Sequence, residues 1–110
     1  MALETLERMK KRIAQSDGIA GDDKAALADL LAELEAEIEH LPEDHHDHMK
    51  TVAGFAELSA LEASKTDTDE DLLHHALDGM RKAAERFGEN HPKVVRVVSD
   101  VAKTVGRMGF

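Results

Sequence analysis

The sequence predicts an all-α fold of about five helices: an N-terminal antiparallel hairpin over residues 2–41, then three helices over about 43–64, 69–87 and 92–108 packed as a bundle. Three observations carry this. Apolar side chains recur at three- and four-residue intervals, the period of a helix with one buried face. The core inventory is aliphatic, because the chain has three Phe and no Trp or Tyr. Turn and capping residues divide the pattern into segments of helical length. At 110 residues, 42% apolar and 34% charged, the composition suits one globular domain spanning 1–110.

The first helix is expected from about Ala2 to Gln15, with Leu3, Leu6, Met9 and Ile13 on one face. Ser16-Asp17-Gly18 and Gly21 supply turn chemistry. Asp22 reads as the N-cap of a second helix that reaches about His40. There Leu27, Leu31, Leu34, Ile38 and Leu41 form a narrow seam of coiled-coil spacing, with Glu33, Glu35, Glu37 and Glu39 outside it. A short loop between two such helices makes an antiparallel hairpin.

Pro42 interrupts the pattern, and Glu43-Asp44 open a third helix toward Ser64, with acids at the end the helix dipole favours. Met49, Val52, Ala53, Ala56, Ala60 and Ala63 give it one small-residue face, while Phe55, Leu58 and Leu61 lie on the other side. A helix apolar on two faces is either central to the fold or shared with a second chain. Gly54 leaves open whether it is a single rod. Thr66-Asp67-Thr68 reads as the cap of the fourth helix, whose apolar arc runs from Leu72 to Phe87 and whose stop is Gly88. Pro92 opens the fifth at the first helical position. Its five valines within residues 94–101 would suit a strand, but they fill one arc at 3.6 periodicity and no second strand exists to pair with them.

Charge is segregated along the chain. Residues 1–16 carry +2, residues 17–79 hold eighteen acids against three lysines for −15, and residues 80–110 carry +4, within a net charge of −9. The basic ends are therefore expected to pack near the acidic middle, within one chain or between chains. The negative balance and the lack of aromatics to stack on bases argue against a nucleic-acid partner. No apolar run approaches a membrane span, and the opening residues lack the pattern of a secretory signal, so a cytoplasmic protein is expected. The absence of cysteine excludes disulfides, thiolate metal sites and cysteine nucleophiles together.

The run Val52-Ala53-Gly54-Phe55-Ala56-Glu57-Leu58-Ser59-Ala60-Leu61-Glu62-Ala63, and the stretch Arg86-Phe87-Gly88-Glu89-Asn90-His91-Pro92-Lys93-Val94-Val95 closing on Met108-Gly109-Phe110, resemble a family of short bacterial proteins catalogued as domain of unknown function 4404. The resemblance implies a bacterial helical protein and brings no activity with it.

The densest set of chemical groups is Glu43-Asp44-His45-His46-Asp47-His48. His45 and His48 share a helix face, so with His46, and with His40 nearby, they are candidate ligands for zinc or another divalent metal. The simpler account is a solvated, acid-rich helix start. Glu43-x-x-His46 and Asp71-x-x-His74 echo the di-iron bundle pattern, but His74 points away from the core face of its helix, which rejects an internal di-metal site. His91 before Pro92 reads as a general base or ligand, or more simply as a cap for the last helix. Arg8-Met9-Lys10-Lys11-Arg12 is a basic run best spent on the helix dipole and on neighbouring acids. Glu57 and Glu62 are either buried bases or members of an interface rim. No serine elbow and no phosphate-binding loop occurs.

Together these features predict a non-enzymatic structural or protein-interaction module without a cofactor. It self-associates as a homodimer or other homo-oligomer through the third helix, with Val52, Phe55, Ala56, Leu58 and Ala60 as interface residues. The alternative is a metal-binding protein using His45, His46 and His48.

Overall fold

Five α-helices form in the computed structural model, which describes residues 2–16, 19–65, 67–88 and 90–109: α1 (Ala2–Gln15), α2 (Gly21–Glu39), α3 (His46–Ala63), α4 (Glu70–Glu85) and α5 (Pro92–Gly109), with one 3-10 turn at Glu43–His45 before α3. Met1, Asp17, Gly18, Thr66, Glu89 and Phe110 lie outside the described residues.

The apolar periodicity decides which faces meet. Leu6, Met9 and Ile13 of α1, the seam Leu27–Leu31–Leu34–Ile38 with Leu41, and Val94, Val97, Val98, Val101 and Val105 of α5 are all buried in one continuous core. β-Branched valines are tolerated in α5 because packing, not intrinsic propensity, fixes a helix with so strong an apolar face. α3 packs against α1, α4 and α5; α5 against α4 and α2; and α2 against α1. The helices thus close a ring in the order α1, α3, α4, α5, α2, with α3 and α5 touching across it. The radius of gyration of 12.9 Å is that of a single packed domain of this length.

Three boundaries differ from the sequence expectation. Asp22 is not the cap of α2: Ala20 occupies that position without a side-chain bond, and Asp22 and Asp23 sit in the first turn, facing the dipole. The cap of α4 is Asp69, whose carboxylate accepts from Leu72 N–H at 3.1 Å. Gly88 follows a helix that has already ended at Glu85, and its amide donates to the Glu85 carbonyl at 3.0 Å. α3 runs unbroken through Gly54.

The charge segregation resolves within the chain. Arg8 pairs with Glu57, Lys10 with Glu35, Lys93 with Glu37, Arg96 with Glu33 and Arg107 with Asp23. Every one of these pairs ties a basic end to the acidic middle.

Candidate functional site

The third helix is where the chain places most of its unexplained features, and its small-residue face is consumed internally. Met49, Val52, Ala53 and Ala56 are fully buried, and Ala60 and Ala63 nearly so. Small side chains let α3 approach three neighbours at once. This corrects the assignment of Val52, Ala56 and Ala60 as residues that meet a second chain, since their own bundle already covers them.

Phe55 is partly taken up within the chain as well. Its ring lies over Gly79 of α4, where an added Cβ would fall 2.6 Å from Cε1. The glycine makes a notch in α4 that accepts the ring edge, leaving Phe55 half-buried. Of the expected interface residues, only Leu58 faces solvent, at 44% exposure.

The outward side of α3 is therefore a single ridge. At 100° per residue, Asp47, Gly54 and Leu58 fall within an arc of about 40°, opposite the line of Ala56. Leu61 borders this ridge and also lines a shallow groove of about 40 Å³ with Met9, Ile13 and Ile19. Gly54 is exposed, and a Cβ there would meet nothing within 4 Å. No contact with a described residue explains a helix-interior glycine at that position.

The two acids of α3 have structural partners. Arg8 grips Glu57 with both ends of its fork, at 2.8 and 2.9 Å, and this holds the carboxyl below the usual glutamate range. Glu62 is buried in the α3–α4 turn. Its carboxylate takes the Lys65 ammonium at 2.8 Å and the Asp69 N–H at 3.1 Å, which depress its pKa in that order. The Thr68 hydroxyl donates to the Glu62 and Lys65 carbonyls across the same turn. A carboxylate so firmly held in its ionised form is a weak proton acceptor at neutral pH. The buried Glu35 Oε1 has Lys10 Nζ at 2.5 Å.

The histidines diverge. His46 donates from Nε2 to the Leu41 carbonyl at 3.2 Å, and His48 from Nε2 to the Ala83 carbonyl at 2.8 Å. Each ring keeps its one lone pair on Nδ1. His45 sits beside Asp44, with its ring 5.8 Å from Phe87 and 5.5 Å from His91. His45, His48 and His91 thus gather around Phe87, where the α3 start meets the α4 end. Among the described residues no three His, Asp or Glu side chains converge as a metal-holding set. His91 acts through its backbone: its carbonyl accepts from Val94 and Val95, and its amide donates to Phe87 at 2.7 Å. Sequence reasoning missed the grouping around Phe87, because only the fold brings residues 45 and 91 together.

The fold defines the class: an all-α helical bundle. Residues 56–110 match the family described as Domain of unknown function (DUF4404), and the chain belongs to it. The match begins inside α3 and takes in Leu58, α4 and α5; His45, His46 and His48 lie before it. No curated protein and no solved structure matches the chain. Among the described residues, no helix is long and apolar enough to cross a membrane.

Proposed function

We propose that the chain is a small, non-enzymatic, cytoplasmic interaction module that self-associates through the solvent ridge of α3. One observation carries this reading: Gly54 and Leu58 stand one turn apart on that ridge, a gap beside a projecting apolar side chain, and neither is explained by packing within the bundle. A lone exposed leucine is ordinary on a protein surface. Beside a helix-interior glycine, it has the form of a helix–helix contact, where the missing side chain lets a second backbone approach. The fold adds support by hiding its other hydrophobics well: among the described residues, only Leu58 and Leu72 are large and exposed.

Leu58→Glu tests the reading. It should abolish a concentration-dependent dimer in sedimentation equilibrium while leaving the helical circular dichroism intact. Leu72→Glu, which alters the other exposed leucine, should leave the dimer in place. Equal association of wild type and Leu58→Glu would refute the assignment.

A further inference from the structure

We draw no further inference here: the strongest candidate, the side-chain cluster of His45, His48 and His91 around Phe87 where the α3 start meets the α4 end, brings no three metal-holding groups together among the described residues, and nothing else in the structure shows what it would bind.

Discussion

Two glycines in helix interiors show how differently a missing Cβ acts. Gly79 accommodates the Phe55 ring, and Gly54 accommodates none of the described residues. Gly54→Ala should therefore raise stability against urea by about 1 kcal/mol, the ordinary gain of alanine over glycine in a helix. Gly79→Ala should lower it by about 1–3 kcal/mol, because the ring must shift to admit the methyl group. The sequence shows two similar interior glycines and holds no sign of this difference, since the residue that meets Gly79 comes from another helix. Leu58 and Phe55 show the same limit. Helical periodicity puts both on the outward side of α3, and only the notch in α4 separates a packed ring from a projecting leucine.

At the scale of elements, the helices were legible wherever one apolar arc dominates, as in α1, α2 and α5. Cap chemistry was less so, because several Asp, Thr and Ser residues near each terminus compete for the same role. Asp69 took the cap of α4 ahead of the Thr66-Asp67-Thr68 run since its carboxylate reaches Leu72 N–H and its own amide is anchored by the buried Glu62. Asp69→Ala should cost about 1 kcal/mol in thermal or urea unfolding, the usual loss of an N-cap. Leu72, placed in the core arc by its spacing, is 40% exposed because it sits in the first turn at the edge of the α3–α4 seam. The histidine cluster was visible in the sequence as a string, but its geometry was not. A helix start sends consecutive side chains in different directions, here to Leu41, to Ala83 and toward His91.

For the whole molecule, the charge map read from the sequence translates into the order of the ring. Basic α1 meets acids of α2 and α3, and basic α5 meets acids of α2. Such exposed pairs contribute little stability one by one. Their sign pattern favours this arrangement of helices over alternatives that would set acid against acid. Glu57 and Glu62 titrate in the folded chain below the ordinary glutamate value of about 4.3. The folded state thus holds fewer protons than the unfolded state in the acid range. The stability from these two groups is full above the unfolded pKa and is lost as pH falls through the lower, folded value. Urea midpoints of wild type should exceed those of the Glu57→Gln, Glu62→Gln double variant at neutral pH, and the two should converge as the carboxylates protonate. A gap that stays constant to the lowest pH would contradict the assignment.

The central claim is that this bundle works by pairing through α3. Its most direct test is the solution mass of the wild-type chain, measured by light scattering over a wide range of concentrations beside Leu58→Glu. The account predicts a wild-type mass that climbs toward twice that of the chain, with the variant staying at one chain throughout. A wild type that remains a single chain at its highest soluble concentration would contradict it.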